Sequence, residues 1–380
     1  MNKRHLVIYN VLRPFVTLYL HCRFDFRHEK PKNLPEQYIL LSNHATDYDP
    51  LLIATAFPDH MNFMASEHIA RWGFLSKVIR YLVDPILLSK GAPTAAVVME
   101  LLRRIRAGYN VCFFPEGLRT WDGVTNPIPP ATGKLVKKAG CALITYKLTG
   151  GYFASPMWSE GHGTRRGAVR GSLVNVYTAE QLAAMSADEV NELIRRDLHE
   201  DAYARQLEAP KKFKGKNLAV RMENLLFICP ECGAVDSFTS EGGHVSCTAC
   251  SHSFGYDEYG MLSGSRFKTV LELSDWQKGE IARLIAEGRE FFVPNATLST
   301  VSKHVETPVT SGEARISTDA ISCGNISLPM SEITELAMHG QHAVVFSVGK
   351  TYYELIAKDS NMLKFHLIYN QLKANEAAAV

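Results

Sequence analysis

No stretch of the chain offers the ~20 uninterrupted apolar residues that a membrane-spanning helix needs. The longest candidate, near the N-terminus, is broken by Asn10, Arg13 and Pro14. The same stretch has early basic residues but neither a clean apolar core nor a small-residue cleavage site, so a cleaved signal peptide is not expected. Strong charge imbalance is missing too. The 41 Lys and Arg against 39 Asp and Glu give a net charge of +2, which argues against wholesale nucleic-acid binding. The eight cysteines lack the even spread of a disulfide framework. Four fall into two CxxC pairs, while Cys22, Cys112, Cys141 and Cys323 stand apart. That distribution suits a reducing cytosol and one metal site. At 380 residues the chain has room for two or three domains, each with its own core.

The chain is organised around Asn43-His44-Ala45-Thr46-Asp47-Tyr48-Asp49-Pro50. The preceding run Tyr38-Ile39-Leu40-Leu41 is short and apolar, as a buried strand is. Asp49 and Pro50 before Leu51-Leu52-Ile53 read as N-cap and first residue of a helix. His44 thus falls in the loop leaving a strand, where α/β proteins place their chemistry. A histidine and an acid across one tight loop are the pattern of a general base and its orienting partner. A second strand, Val111-Cys112-Phe113-Phe114, is broken by Pro115-Glu116-Gly117-Leu118-Arg119-Thr120. Glycine permits close backbone approach and arginine suits bidentate phosphate recognition.

His44-x4-Asp49, followed about seventy residues later by Phe114-Pro115-Glu116-Gly117-x-Arg119, resembles the signature of the glycerolipid acyltransferases. The nearest branch is the 1-acylglycerol-3-phosphate (lysophosphatidic acid) acyltransferases. The resemblance spans roughly residues 1–210 and implies an α/β domain with a largely parallel sheet flanked by helices. It implies transfer of a fatty acyl group from acyl-CoA or acyl-carrier protein to the hydroxyl of the lysolipid, giving phosphatidic acid. His44 and Asp49 are then catalytic, and Glu116, Gly117 and Arg119 arrange the acceptor phosphate. A backbone amide near residue 117 is a candidate oxyanion donor. The family's glycine-to-arginine block corresponds to Asp84 through Lys90, where lysine keeps the charge but loses the bidentate fork. Two alternatives stay open: another lysolipid acceptor, or a non-catalytic lipid-binding, zinc-ribbon adaptor.

Residues 1–32 are expected to form an interfacial helix region, and 33–210 the acyltransferase domain. In the N-terminal helix, Lys3, Asn10, Arg13 and Thr17 fall near one stripe and most of the rest is apolar or aromatic. Such a helix can lie in a membrane interface without crossing it, with Arg23, Arg27, Lys30 and Lys32 near anionic headgroups. The alternative is a core helix with its polar stripe in water. The expected location is cytoplasmic, peripheral at the inner face of the cell membrane. Helices are predicted over 66–82, 94–107 and 132–139. The loop Gly150-Gly151-Tyr152 to Trp158 is a candidate pocket lining, and Ser186-x-x-Glu189 reads as a capping box.

Residues 211–224, rich in lysine, read as a basic linker. Cys229-Pro-Glu-Cys232 and Cys247-Thr-Ala-Cys250 then supply four thiolates at the spacing of a zinc ribbon, expected over 225–257. The site is read as structural zinc, with iron the alternative. Acidic neighbours Glu231, Asp236 and Glu241 argue against nucleic acid as its partner. Residues 258–380 are expected to form a small α+β domain. Ser274-x-x-Gln277 caps a helix, short alternating strands follow, and a final helix sets Met362, Phe365, Tyr369 and Leu372 on one face. This element order resembles a pleckstrin-homology-like domain.

Overall fold

The computed structural model describes residues 3–66, 84–88, 94–159, 164–302 and 305–378. The predicted helix over 66–82 falls almost wholly outside the described residues. The chain divides into two compact units, residues 1–157 with 163–215, and residues 158–162 with 216–380.

The first unit is built on one sheet. Its strands are β1 (Arg27–His28), β2 (Tyr38–Ser42), β3 (Met61–Ser66), β4 (Ile86–Leu88), β5 (Asn110–Phe113), β6 (Ala142–Thr149) and β7 (Arg170–Tyr177). They lie in the order β1-β7-β6-β2-β5-β3-β4. Pairing is parallel except between β6 and β7, so the expected largely parallel sheet is present. β2 is central and buried on both faces, which is why it reads as an unbroken apolar run rather than an alternating one. Ile39 and Leu41 point into a core shared with Leu101, Leu102, Ile105, Val136, Val190 and Ile194. That core lies under α3 (Thr94–Arg106), α4 (Ala131–Ala139) and α7 (Ala187–Leu198). Tyr38 faces the other way and meets Phe57, whose ring meets Tyr146 edge-on.

The sheet register sets up the site. Leu41 of β2 lies opposite Phe113 of β5, and both strands run the same way. The segment after Ser42 and the segment after Phe113 therefore leave adjacent strands at the same edge. Two loops distant in sequence are brought together there, the usual place for a ligand in an open α/β sheet.

On the other side, α1 (Lys3–Phe24) packs on α2 (Asp49–Ala56). The Tyr9 hydroxyl donates to Ala54 O and the Arg13 guanidinium to Thr55 O at 3.1 and 3.3 Å. Leu20 and Phe24 are buried. The outward stripe is Val7, Val11, Phe15 and Leu18, at helical spacing, with Phe15 69% exposed. The expected polar stripe is thus split: Asn10 is exposed, whereas Arg13 faces α2 because its donors satisfy a carbonyl there.

Other local expectations are corrected. Asp49 is the first residue of α2 rather than its N-cap, and no side chain caps this end. The segment Gly150–Trp158 includes a short helix, α5 (Gly151–Ala154). Ser186 and Glu189 do form a reciprocal capping box on α7. α6 (Ala179–Ala184) and α8 (Ala202–Glu208) complete the helices of this unit. The basic segment is not a loose linker at its start. Lys214 and Arg166 exchange backbone hydrogen bonds at 2.8 Å, and Phe213 is buried where a side chain on Gly167 would collide with its ring.

The second unit begins with a four-stranded antiparallel sheet. Its strands are β8 (Phe238–Glu241), β9 (His244–Cys247), β10 (Ser253–Tyr256) and β11 (Leu262–Ser263). α9 (Val270–Ala286) is capped by Thr269, which accepts from Glu272 N; Ser274 is buried inside the helix instead of capping it. Seven antiparallel strands follow: β12 (Phe291–Ser302), β13 (Val305–Ile316), β14 (Ala320–Cys323), β15 (Ile326–Pro329), β16 (Ile333–His339), β17 (Ala343–Val348) and β18 (Thr351–Ile356). Their order is β15-β14-β13-β12-β18-β17-β16. The final helix α10 (Leu363–Ala378) buries Phe365, Tyr369 and Leu372 on the face that its sequence spacing marks, whereas Met362, expected on that face, is buried just before the helix begins.

Candidate active site and candidate metal centre

Asn43 fixes how the chain leaves β2. Its buried amide donates to Leu148 O and accepts from Leu148 N, both at 2.8 Å. The backbone of His44 is held twice more: its N–H donates to Glu116 Oε1 at 2.7 Å, and its carbonyl accepts from Thr120 N at 3.0 Å. The imidazole stacks on Phe114, with ring centroids 4.2 Å apart and planes 16° off parallel.

His44 Nδ1 lies 2.8 Å from Asp49 Oδ2. The same oxygen accepts from Ala45 N at 2.7 Å and Thr46 N at 2.9 Å. Three donors thus converge on one carboxylate oxygen in the first turn of α2. That oxygen already accepts from two backbone N–H groups, and the network assigns the imidazole proton to Nδ1 as its third donor. Nε2 then carries the lone pair and makes no hydrogen bond to any described residue. A small cleft beside the ring is lined by Glu116, Gly123, Leu148, Gly151 and Tyr152. Gly151 packs closely there: a Cβ would sit 3.0 Å from Thr46 Cγ2 and 3.3 Å from Ala45 Cβ. The glycine pair expected to line a pocket is therefore beside His44.

Glu116 ties the two loops together. Oε1 accepts from His44 N, and Oε2 from Asn126 N at 2.7 Å. Burial pushes its carboxyl up to about 8, with the Asn126 and His44 N–H groups pulling the other way. The unfolded carboxyl ionises near 4.5, so the folded state holds the proton more tightly. The contribution of Glu116 to stability is then greatest below pH 4.5 and falls as pH rises from 4.5 to 8, by on the order of a few kcal/mol. Urea midpoints across that range should show the slope, and Glu116→Gln should flatten it. A flat wild-type profile would mean that the two N–H donors keep the carboxylate ionised throughout.

Gly117 adopts φ +71°, the left-handed region that favours glycine. Its N–H donates to Phe114 O at 3.1 Å, so the Gly117 amide itself is engaged in the turn. Arg119 is nearly buried, and its Nη1 lies 2.9 Å from Asp47 Oδ2. Lys90 lies outside the described residues. Of the expected site residues, His44, Asp49, Glu116, Gly117 and Arg119 are brought to one edge of the sheet. Sequence reasoning missed Asn43, Asp47, Thr120 and Asn126. Only Asn43, placed directly at the strand end, gave any signal.

In the second unit the four cysteines of the CxxC pairs converge, their sulfurs all within 4.8 Å of one another. Cys229 and Cys250 Sγ are 3.8 Å apart, as are Cys232 and Cys247 Sγ. Four thiolates about 2.3 Å from one tetrahedral ion would be about 3.8 Å apart, so the donor set and spacing fit a metal. The two knuckles repeat one backbone pattern. Cys229 N donates to Ala234 O and Gly233 N to Cys229 O, both at 2.9 Å; Cys247 N donates to His252 O at 2.8 Å and Ser251 N to Cys247 O at 2.9 Å. Gly233 and Ser251, each just after the second cysteine, are both left-handed. The entry to the first knuckle is fixed by buried Gln277 of α9, whose Oε1 accepts from Phe227 N at 2.7 Å and Ile228 N at 3.0 Å.

Residues 25–149 match the model of the family described as Acyltransferase. The matched stretch carries both motifs and the strands that position them. A solved structure similar to the chain is that of the 1-acyl-sn-glycerophosphate (LPA) acyltransferase PlsC from Thermotoga maritima. It is 18% identical with a TM-score of 0.45, over 55% of this chain and 84% of that one. No curated protein sequence matches the chain.

Proposed function

We propose that the first unit transfers a fatty acyl group from acyl-CoA or acyl-carrier protein to the free hydroxyl of 1-acylglycerol-3-phosphate, giving phosphatidic acid. The observation that carries this is the His44 ring, bonded through Nδ1 to Asp49 Oδ2 and lining a small cleft. In the proposed reaction Nε2 takes the hydroxyl proton as the oxygen attacks the thioester carbonyl. Asp49 stabilises the imidazolium that forms. The tetrahedral intermediate collapses, the C–S bond breaks, and the leaving thiolate recovers the proton from Nε2. No acyl-enzyme is needed. Cys112 is buried and its thiol is pushed well up by burial, which suits a core residue rather than a nucleophile. Arg119 is assigned the acceptor phosphate. Glu116 is assigned a positioning role, since both its oxygens already accept backbone N–H groups. Thiol release on a panel of lysolipids tests the assignment. Transfer to none of them would return the chain to the adaptor reading, and preference for another headgroup would change the acceptor.

Such acceptors partition into bilayers, so we propose that the protein docks at the inner face of the cell membrane, from the cytoplasm. No described helix is long and apolar enough to cross a membrane. The outward stripe of α1 supports interfacial docking, with apolar groups contributing about 0.8 kcal/mol per buried CH₂ and nearby Lys or Arg about 1 kcal/mol each on anionic lipid. Phe15→Asp is expected to weaken flotation with anionic vesicles. It should depress activity on vesicle-borne acceptor more than on a short-chain soluble one. Equal flotation of variant and wild type would remove α1 from the docking surface.

For the four cysteines we propose one structural zinc. It would cross-link the two knuckles with every coordination position filled by thiolate, leaving none open for chemistry.

A further inference from the structure

The acceptor assignment gives Arg119 a phosphate, yet an anion already sits on it. Asp47 lies between His44 and Asp49 in sequence, but its situation is unlike theirs. Its side chain is 58% exposed, while that of Arg119 is 9% exposed. Its contact with Arg119 is one Nη1–Oδ2 approach of 2.9 Å, and it makes no other hydrogen bond or ion pair with a described residue. Asp49, two residues on, is buried and held by three donors. One carboxylate is thus locked, and the other is tethered at a single point and free to swing into water.

Two effects act at Arg119. A nearly buried guanidinium favours an anion beside it, and Asp47 supplies one. A solvated carboxylate is a weak partner, and a phosphate that engages the planar fork through two oxygens is a stronger one. We infer that Asp47 is an intramolecular placeholder on Arg119, which the phosphate of the acceptor displaces and which returns as product leaves. This rests on the proposed acceptor class. It makes Asp47 the residue that sets apparent affinity for phosphate-bearing acceptors, by competing with them for one guanidinium. Such competition raises KM without touching the proton transfer at His44.

The sign of one measured change tests this. If Asp47 competes, Asp47→Asn should lower KM for lysophosphatidic acid and the inhibition constant of inorganic phosphate together. The expected change is about three- to fivefold, the scale of an exposed ion pair. KM for a monoacylglycerol, which has no phosphate, should stay unchanged, and Asp47→Glu should restore wild-type values. In an Arg119→Ala background, Asp47→Asn should have no effect on any of these constants, because the competition acts only through Arg119. If Asp47 instead braces Arg119 in its working position, Asp47→Asn will raise KM for lysophosphatidic acid, and the placeholder is excluded. An equal change for both acceptors would exclude it as well. If wild-type enzyme acylates the monoacylglycerol but Arg119→Ala leaves KM for lysophosphatidic acid untouched, the phosphate assignment itself fails, separately from any role of Asp47.

Discussion

His44→Ala is expected to leave a folded protein whose turnover is lower by about 10²–10⁴, the range for a lost general base. The fold should survive because the loop is anchored through its backbone and not through the imidazole. Asn43 bonds Leu148, Glu116 holds His44 N and Thr120 N holds His44 O, and each contact persists when the ring is removed. What disappears is the Nε2 lone pair and the stacking on Phe114. Asp49 makes a useful contrast. Its Oδ2 holds two loop amides as well as the imidazole, so Asp49→Asn should cost structure and chemistry together, through a misplaced loop and a wrong tautomer. Circular dichroism and thiol release on the two variants separate the roles. Wild-type turnover in His44→Ala would overturn the mechanism, even if acyl transfer itself were confirmed.

How far such a site can be read from sequence depends on whether its contacts are local. His44 and Asp49 are five residues apart across one loop, so a strand pattern before them and a helix start after them were enough to pair them. The Tyr38–Leu41 run showed a strand buried on both faces, because a central parallel strand has no polar side to display. The two CxxC pairs were legible because metal chemistry restricts spacing. The contacts that hold the site were not legible. Asn43 bonds Leu148 at a separation of 105 residues, and Glu116 reaches His44 N across 72. Both follow from the registers of β2 with β5 and β6, which no residue pattern in either segment announces. A loop-positioning role suits Glu116 on charge grounds, since a bare carboxylate repels phosphate, but its two backbone partners could not be named from sequence. The orientation of α1 was not legible for a related reason. Its residues allow either face inward, and carbonyls of Ala54 and Thr55, on another helix, decided the matter by accepting from Tyr9 and Arg13. At α9, both Thr269 and Ser274 precede a suitable third residue. Packing placed Ser274 inside the helix, and the cap moved one turn and a half earlier.

The second large effect is expected at the four cysteines. Purified protein should contain about one zinc per chain, and Cys229→Ser should lose most of it, because three thiolates and a poor hydroxyl ligand cannot close a tetrahedral thiolate site. The structural consequence follows from how little else holds this region. Its four strands are two to four residues long. The apolar residues under them are few, chiefly Val245, Phe238 and Phe254, the last two packed edge-on at 5.7 Å. So small a core seldom balances the cost of ordering its chain. A structural zinc in a small site contributes about 10–16 kcal/mol, comparable to the whole stability of a typical domain. Removing it should therefore release residues 229–252 while leaving Phe227 and Ile228 tied to Gln277. Limited proteolysis should show new cleavage between Cys232 and Cys247 in Cys229→Ser and in chelator-treated wild type, with readdition of zinc protecting only the latter. Acyl transfer by the first unit should persist in both, since none of the residues assigned to the reaction is a metal ligand. Metal-free protein that resists protease as well as the metal-loaded form would show that hydrogen bonds within the two knuckles suffice, and the zinc assignment would then lose its structural rationale.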